Sequence, residues 1–257
     1  MPMDEPLEQF WGVSPWANET RKRIPQIARH RYNVAITGAE GTGKRLLARL
    51  VHDLSPRAEQ PMIPVDCSLL GESTFAGQMF GHEAGAMPAA TGAALGCLRA
   101  ADGGTVCLAH VEALALEFQH ELLVALKSRK VTPVGGDDPI PFDVRVMTSS
   151  MLDLQKQVQD RKLLAELYTL LDAVSLNTVP LSKRREDIEP LAVGFLAELA
   201  EELGELPKQL MADGCQRLTK YGWPGNVAEL REVIERAAVF SEGENLTARS
   251  FAFLPPS

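Results

Sequence analysis

Residues 38–44 read Gly38-Ala39-Glu40-Gly41-Thr42-Gly43-Lys44 and satisfy the spacing G-x-x-x-x-G-K. The β-branched run Asn33–Thr37 precedes them and predicts a strand, and Lys44–Leu54 repeats apolar residues at helical spacing. Glycines at such a point let backbone N–H groups turn inward around a phosphate, and Lys44 adds a cation at the positive N-terminus of a helix. The pattern therefore favours a phosphate-binding loop over the alternative, a glycine-rich strand-to-helix turn with a surface lysine.

The rest of the chain shows two different patterns. Before Pro180, short apolar runs alternate with helical patterns, which predicts a parallel sheet with helices on its faces. The predicted strands are Met62–Val65, Thr105–Leu108, Val144–Thr148 and Val174–Leu176, with helices that include Glu117–Lys127 and Leu163–Leu171. After Pro180 the pattern predicts only helices, at Arg185–Leu203, Lys208–Tyr221 and Val227–Phe240. We expect an α/β fold in three parts: a lead-in over residues 1–30, an α/β domain over residues 31–183, and a small all-helical domain with a tail over residues 184–257.

Composition and charge narrow the class of protein. The 257 residues include 26 Lys and Arg against 34 Asp and Glu, and this net charge of −8 gives no bulk attraction to nucleic acid or to anionic membranes. No apolar run approaches the roughly 18 residues of a membrane span, and Met1–Pro6 lacks the layout of a signal peptide, so we expect a cytoplasmic protein. The four cysteines form no Cys-x-x-Cys pair, and Cys107 with His110 lacks a second pair of ligands. We expect reduced thiols and no metal site.

Further blocks follow in the order of a known family. Residues 36–44 resemble the ITGESGTGK loop of the sigma-54-dependent transcriptional activators, which are the bacterial enhancer-binding AAA+ proteins. Other similar blocks are Pro64–Cys67, Phe80–Ala86, Ala101–Thr105, Val134–Gly136, Asp143–Val146, Arg184–Ile188 and Tyr221–Val227. The resemblance covers about residues 12–240. It implies a P-loop NTPase (AAA+) sheet with a helical lid, ATP or ADP as the ligand at residues 38–45, and usually a hexameric ring that remodels sigma-54 RNA polymerase.

The metal-binding and water-activating positions of the family are replaced. An ATPase uses carboxylates to hold magnesium and to polarise the attacking water, and the family carries Asp-Glu after the Thr105–Leu108 strand. This chain carries Ala109 and His110 there, and Arg45 stands where a hydroxyl would hold magnesium. We therefore expect Mg²⁺ binding to be weak or absent. We interpret His110 as an ordinary loop histidine, and proton acceptance by His110 or Glu112 is the alternative.

Groups that stabilise or sense the nucleotide in the family are replaced as well. Leu164 and Leu170 occupy the two positions from which the family's arginines reach the neighbouring subunit's γ-phosphate. Met151 or its neighbour lies where an asparagine of the family would orient water, and Ala228 replaces the nucleotide-sensing arginine. In the same block, we expect Asn226 and Glu229 to cap a helix. We assign no catalytic residue and regard six positions as degenerate: Ala109, His110, Met151, Leu164, Leu170 and Ala228.

The loop by which the family contacts sigma-54 has also changed. Gly85-Ala86-Met87-Pro88-Ala89-Ala90 is similar to the family's GAFTGA, but Met87 removes an aromatic ring, and Pro88 removes a hydroxyl and a backbone N–H. An ordinary surface hairpin and a loop adapted to another partner are equally compatible with this change. The sequence ends at Ser257 without a basic helix-turn-helix, so we expect no direct DNA binding.

These observations give one leading hypothesis and two alternatives. The leading hypothesis is a degenerate AAA+ regulator that binds ATP or ADP, hydrolyses it slowly or not at all, and acts through a protein partner. That partner is an intact AAA+ activator or sigma-54 RNA polymerase. The alternatives are an active ATPase that remodels sigma-54 RNA polymerase, and a scaffold that no longer binds nucleotide.

Overall fold

The computed structural model describes residues 5–86, 92–241 and 243–252. The strands are β1 (Val34–Thr37), β2 (Met62–Asp66), β3 (Gly81–His82), β4 (Ala94–Leu95), β5 (Thr105–Ala109), β6 (Lys130–Val131), β7 (Ile140–Pro141), β8 (Arg145–Ser150), β9 (Val174–Asn177), β10 (Gln209–Leu210) and β11 (Asn245–Leu246). The α-helices are α1 (Pro15–Ala28), α2 (Lys44–Asp53), α3 (Phe75–Phe80), α4 (Cys97–Ala100), α5 (Leu116–Ser128), α6 (Leu154–Gln159), α7 (Ala165–Leu171), α8 (Ile188–Leu203), α9 (Ala212–Lys220) and α10 (Asn226–Phe240). Short 3-10 helices lie at Glu5–Gln9, Cys67–Leu69, Val111–Ala113, Leu181–Lys183, Arg185–Asp187 and Ala248–Phe251.

Five strands form the central sheet in the order β2-β5-β8-β1-β9, and every neighbouring pair is parallel. This arrangement confirms the predicted parallel α/β fold. Parallel neighbours end at the same edge of a sheet, and Asp66, Ala109 and Ser149 are in register at that edge. The carboxyl ends of the strands therefore bring together residues that are far apart in the sequence.

One face of the sheet supports the larger hydrophobic core. Val106 and Leu108 of β5 are buried in it, and the rings of Phe75 and Phe118 stack with centroids 4.4 Å apart. Successive strand residues point to opposite faces, so Cys107 and Ala109 point away from this core. Burial of apolar side chains on one face of the sheet thereby determines which β5 residues point to the opposite face, and Ala109, one of the degenerate positions, is among them.

The helical part beyond Pro180 has its own core, which contains Trp223, Leu230, Ile234 and Phe251. The predicted helices are present as α8, α9 and α10, with one difference. Lys208–Tyr221 is not continuously helical, because Gln209 and Leu210 pair in parallel with Asn245 and Leu246. This pairing satisfies the backbone between α8 and α9 and buries Leu246, so the part predicted as all-helical contains a two-residue strand pair.

Tertiary contacts group the chain into two compact units. One unit contains the sheet and comprises residues 25–37 and 44–177. The other comprises the residues up to Ile24, the loop Gly38–Gly43 and the residues from Thr178 onward. The expected domain boundaries at residues 30 and 183 divide the chain into consecutive segments, whereas each compact unit combines separate segments. These boundaries therefore stay a prediction. Among the described residues, no helix has both the length and the apolar character to cross a bilayer.

Candidate functional site

The loop Gly38–Gly43 connects β1 to α2, and its three glycines adopt backbone angles that favour glycine. Gly38, Gly41 and Gly43 have φ of 143°, 70° and 101°. A Cβ at Gly38 would collide with the Thr178 hydroxyl, and one at Gly41 would collide with the Gly225 carbonyl. A Cβ at Gly43 would meet no atom within 4 Å, so open space lies over the last glycine before α2. Glycine is required here by conformation at all three positions and by close packing at the first two.

Thr42 stabilises the turn from inside. Its hydroxyl oxygen lies 2.7 Å from the Ala39 carbonyl oxygen, to which it donates, and 2.7 Å from the Thr178 hydroxyl. Thr42 itself is buried. Buried hydroxyls retain their hydrogen bonds because an unpaired one costs free energy, so these contacts hold the loop in one shape.

Arg184 holds the same loop from the Arg184–Ile188 block. Its Nη2 donates to the Thr42 carbonyl oxygen at 3.0 Å, and its Nη1 lies 3.4 Å from Asp187 Oδ2. Asp187 also accepts the N–H groups of Val13 and Ser14, each at 2.6 Å. Burial lowers the pKa of Arg184, and Asp187 opposes that shift. The block that resembles the family therefore has a structural function in this chain.

The N-terminal turn of α10 contacts the loop as well. The backbone N–H of Ala228 donates to the Gly41 carbonyl oxygen at 3.1 Å, and the Asn226 amide donates to the Glu40 carbonyl oxygen at 2.8 Å. The expected cap by the Asn226 side chain is wrong, because Asn226 has φ 56° and its amide oxygen accepts the Leu181 N–H. Glu229 does contribute to the helix start by accepting the Gly225 N–H at 2.7 Å.

Helix α2 begins at Lys44, directly after the loop. Lys44 is half-buried and Arg45 is exposed. Both line a cavity of about 630 Å³ between α2 and the sheet face opposite the larger core, and Asp66, Cys107 and Ala109 line it too. The structure therefore brings Lys44, the predicted phosphate-binding lysine, to one cavity with Arg45 and Ala109, at which we expect a hydroxyl and a carboxylate of the family to be replaced.

His110 forms a pair that the sequence analysis did not identify. Its Nδ1 lies 3.0 Å from Asp66 Oδ1, and its backbone is left-handed with φ 52°. Hydrogen bonds from the Ser68 hydroxyl and from His110 hold the pKa of Asp66 below its ordinary value. In the sequence, Asp66 directly follows the predicted strand Met62–Val65 and lies in the Pro64–Cys67 block. No local signal identified His110 as its partner, because the parallel pairing of β2 with β5 is visible only in the structure.

Glu112 and Met151 meet at a separate place. Glu112 Oε1 accepts the Met151 backbone N–H at 2.9 Å. Its other oxygen, Oε2, is buried and has no hydrogen-bond partner among the residues that the structure describes. Glu112 is therefore joined to the end of β8, while His110 is joined to the end of β2, so the two candidate proton acceptors have different partners.

Leu164 and Leu170 both serve as structural residues of the sheet-containing unit. Leu164 packs against the larger core, and its N–H donates to the buried amide oxygen of Gln119 at 2.9 Å. The Leu170 carbonyl oxygen accepts from the Asn33 amide at 2.8 Å. Neither position carries a cationic group that could reach a phosphate of a neighbouring subunit.

Two further predictions concern thiols and the partner loop. Burial raises the pKa of Cys107, and likewise of Cys67, to about 12, so both are protonated at neutral pH and are poor metal ligands. Within residues 5–86, 92–241 and 243–252, no three His, Cys, Asp or Glu side chains form a group suited to a metal.

Met87, Pro88, Ala89 and Ala90 of the changed loop lie outside the described residues.

The sequence of this chain matches known protein families and curated proteins over most of its length. Residues 10–177 match the sigma-54 interaction domain and residues 182–253 match the AAA+ ATPase lid domain. The chain is 36% identical over 235 residues to the response regulator protein PilR of Pseudomonas aeruginosa, covering 91% of this chain and 53% of PilR. It is also 36% identical over 240 residues to the Nif-specific regulatory protein of Azospirillum brasilense, covering 93% of this chain and 38% of that protein.

Solved structures show the same fold. The crystal structure of NtrX from Brucella abortus matches 98% of this chain and 57% of the NtrX chain, with a TM-score of 0.84 and 30% identity. NtrX in complex with ATP matches 93% of this chain and 53% of the NtrX chain, with a TM-score of 0.83 and 29% identity.

The extent of these matches decides the family. The chain spans about a third to a half of the length of the curated relatives that it matches. The two matching domains follow each other from residue 10 to residue 253, so they cover nearly all of this sequence. The chain therefore belongs to the sigma-54 interaction domain family of AAA+ transcription regulators.

Proposed function

We propose that this protein binds ATP or ADP through residues 38–45 and hydrolyses it slowly or not at all. The observation that carries the proposal is a contrast between the glycine loop and a cavity whose lining begins at Lys44, the next residue along the chain. The glycine loop retains its three positive φ angles and the open space over Gly43. The neighbouring cavity has the methyl group of Ala109 where a hydrolytic site requires a carboxylate.

Nucleotide binding is supported by the chemistry of the loop. A left-handed glycine turn followed by a helix directs backbone N–H groups toward an anion, and the helix adds a positive end. Lys44 then contributes a cation at the first residue of α2. NtrX, at 29% identity, has been crystallised in complex with ATP, which is consistent with retention of this property in the present chain.

The residues present do not fit a bound magnesium ion. Arg45 places an exposed cation where the ion would need an oxygen, and Ala109 offers no donor. Asp66 is the nearby carboxylate at the strand ends, but one of its oxygens already accepts from Ser68 and lies against His110. Magnesium prefers several oxygen ligands in octahedral geometry, so we propose nucleotide binding that depends little on magnesium.

Loss of hydrolysis implies a regulatory role. A trans arginine contributes on the order of 10³ to 10⁵ in rate, and the corresponding positions here are Leu164 and Leu170. We propose that the protein acts in the cytoplasm in transcription regulation, as an inactive subunit beside an intact AAA+ activator or on sigma-54 RNA polymerase.

A second candidate function is favoured by the His110 and Asp66 pair. A carboxylate that accepts from Nδ1 of an imidazole leaves Nε2 free of the proton and orients the ring, as in Asp-His pairs of hydrolases. An active ATPase would use Nε2 of His110 to accept a proton from water. Replacing His110 by Gln should abolish turnover in that case and should leave nucleotide affinity unchanged.

Two measurements on the wild-type chain test the proposal. Isothermal titration with ATP, ADP and a non-hydrolysable analogue, with and without Mg²⁺, should give binding with similar affinity in both conditions. Steady-state phosphate release should be near background. Absence of heat with millimolar ATP would favour the nucleotide-free scaffold, and a magnesium-dependent rate lost in Lys44→Ala would favour the active ATPase.

A further inference from the structure

A small cavity of about 190 Å³ lies in the sheet-containing unit, at the edge where the parallel strands begin. Arg145, the first residue of β8, lines it, and so does Gly103, two residues before β5. Ala109 and Ser149 lie near the other ends of these two strands. The cavity is therefore distinct from the one that Lys44 and Ala109 line.

Arginine side chains dominate the lining, so we call this space the arginine cavity. Among the described residues that line it, Arg31, Arg57 and Arg145 are cationic and Asp143 carries the one carboxylate. Nη2 of Arg57 lies 2.8 Å from Asp143 Oδ2, so these two charges compensate each other. Arg31 and Arg145 form no ion pair within residues 5–86, 92–241 and 243–252. The lining therefore has a surplus of two positive charges.

Arg145 is a buried cation whose hydrogen bonds all go to backbone carbonyl groups. It is 2% exposed. Its Nε donates to the Tyr32 carbonyl oxygen at 2.9 Å, and its Nη2 and Nη1 donate to those of Ile27 and Ala28 at 3.0 and 3.3 Å. The last two carbonyls end α1 and supply only partial negative charge. A guanidinium has five N–H groups, so two of them have no acceptor among the described residues.

The pKa values of two groups are consistent with this surplus. Burial, and to a smaller extent Arg57, lowers the pKa of Arg145 to about 10. Burial also lowers the pKa of His52, and Arg145 and Arg57 contribute to that shift. Two charged groups next to the lining, Arg129 and Asp102, have opposite signs and leave the surplus unchanged. A buried charge without a counter-charge costs free energy, so a bound anion would stabilise this region.

We propose that the arginine cavity binds a phosphate group, either as inorganic phosphate or as the end of a small phosphorylated molecule. A phosphate monoester carries a charge of about −1.5 to −2 at pH 7, which matches the surplus of two. Arginine suits this ligand, because its planar fork donates parallel hydrogen bonds to phosphate oxygens. Pockets for drug-sized ligands span about 300–1,000 Å³, so the smaller arginine cavity suits a phosphate group and not a whole nucleotide.

The test is isothermal titration of the full chain with sodium phosphate, compared with sodium chloride at equal ionic strength. The proposed glycine loop also attracts phosphate, so the titration is made with wild type and with Lys44→Ala, and the variants below carry Lys44→Ala as well. Phosphate should bind both chains, because the arginine cavity does not include Lys44. This comparison separates the present proposal from the nucleotide site proposed above.

Three variants change the charge of the lining in opposite directions. Arg57→Gln should weaken phosphate binding at least about tenfold and Arg31→Gln at least about fivefold, because each removes a charge-assisted donor. Asp143→Asn should strengthen binding about two- to fivefold, because it removes the one carboxylate of the lining and keeps an oxygen for Arg57. The matched control is Arg29→Gln, which removes an exposed arginine outside the lining and should stay within about twofold.

Two further measurements identify the source of the phosphate and the independence of the site. Glycerol 3-phosphate that binds at least about fivefold more tightly than inorganic phosphate would assign the cavity to a phosphorylated small molecule, and equal or weaker binding would assign it to inorganic phosphate. ATP affinity of the chain with Lys44 intact should change less than about twofold with Arg31→Gln, because Arg31 lies outside the proposed nucleotide loop. Circular dichroism and melting temperature show whether each variant is folded.

Three results would each overturn the proposal. The first is that phosphate and glycerol 3-phosphate give no more heat than chloride at equal ionic strength. The second is that Lys44→Ala removes all phosphate binding, which would place the ion at the glycine loop. The third is an affinity unchanged by both Arg31→Gln and Asp143→Asn. The third comparison decides even if Arg57→Gln does not fold, since the side chains of Arg31 and Asp143 are exposed.

Discussion

Ala228 donates its backbone N–H to the carbonyl oxygen of Gly41 at 3.1 Å. We expect Ala228 to replace the family's nucleotide-sensing arginine, and Gly41 is the central glycine of the loop that is predicted to bind phosphate. The first turn of α10 therefore holds the loop through its backbone, with no arginine side chain at position 228. A backbone contact is insensitive to most substitutions at Ala228, so this part of the loop's support survives the loss of the sensing group.

We expect Gly41→Ala to destabilise the protein by about 1–3 kcal/mol and to abolish nucleotide binding. Its φ of 70° is unfavourable for alanine, and the added Cβ would collide with the Gly225 carbonyl. Urea unfolding and isothermal titration measure the two effects. Gly71→Ala is the matched control, because a Cβ at Gly71 meets no atom within 4 Å, and it should leave both quantities nearly unchanged.

Lys44→Ala should weaken ATP binding by about 1.5–3 kcal/mol, which is the scale of a charge-assisted hydrogen bond. The expected loss is therefore about 10- to 150-fold in the dissociation constant. Isothermal titration measures it. Lys156→Ala removes an exposed lysine of α6 and should have no effect on affinity. Equal weakening by both variants would indicate a general effect of net charge instead of a contact with phosphate.

The double change Ala109→Asp and His110→Glu should not restore hydrolysis. Groups that act as one catalytic unit are non-additive, and Leu164 and Leu170 would still supply no positive charge to the transition state. In addition, Ala109 is in register with Asp66, so the carboxylate introduced at position 109 would lie beside the Asp66 carboxylate. The Asp66 carboxylate would also have lost its hydrogen bond with His110. Phosphate release should remain near background with Mg²⁺ present. A clear magnesium-dependent rate in the double variant would contradict this account.

Stability should fall as the pH drops below about 6.5, because of His52. Burial lowers the pKa of His52 from its ordinary value of 6.5, with Arg145 and Arg57 acting in the same direction and Asp53 opposing them. The folded protein therefore binds fewer protons at this site than the unfolded chain does. The contribution of neutral His52 to the free energy of unfolding is fully present above pH 6.5 and is lost as the pH falls toward the lowered pKa.

Urea unfolding of wild type, His52→Gln and His120→Gln at pH 7.5 and pH 5.5 measures this dependence. Gln at position 52 can retain the hydrogen bond that His52 Nδ1 makes with the Thr105 hydroxyl at 2.9 Å but does not titrate. His52→Gln should therefore reduce the difference in unfolding free energy between the two pH values. The exposed His120 serves as the control and should leave that difference as it is in wild type.

Added to an active family member, the protein should lower that protein's ATPase rate as the molar ratio rises. In a mixed ring, Leu164 and Leu170 would supply no cation to the neighbouring nucleotide, so the developing charge would not be neutralised. ATPase assays across molar ratios, together with size-exclusion chromatography with and without nucleotide, measure the effect. An unchanged rate and a single monomer peak in both conditions would exclude the mixed-ring mechanism.

The local sequence by itself determined the sheet strands and the phosphate loop of this protein. Runs of β-branched and apolar residues predicted β1, β2, β5, β8 and β9, and each predicted range overlaps the observed strand. The glycines of residues 38–43 predicted a tight strand-to-helix connection, and the prediction of weak magnesium binding rests on the residue types of Ala109 and Arg45. Such features depend on residue type and spacing within a few positions, so they are readable without knowledge of the fold.

Tertiary structure alone decided which distant residues meet. His110 faces Asp66 because β2 and β5 are parallel neighbours that end at the same edge, a pairing that no local pattern specifies. The amide of Asn226 donates to Glu40 where local pattern predicted a helix cap, since packing of α10 against the loop offered a different buried carbonyl oxygen. In each case the interaction depends on chain segments that are brought together by burial of apolar surface. The hydrophobic effect is non-directional, so sequence periodicity shows which surfaces are apolar but not which of them pack against each other.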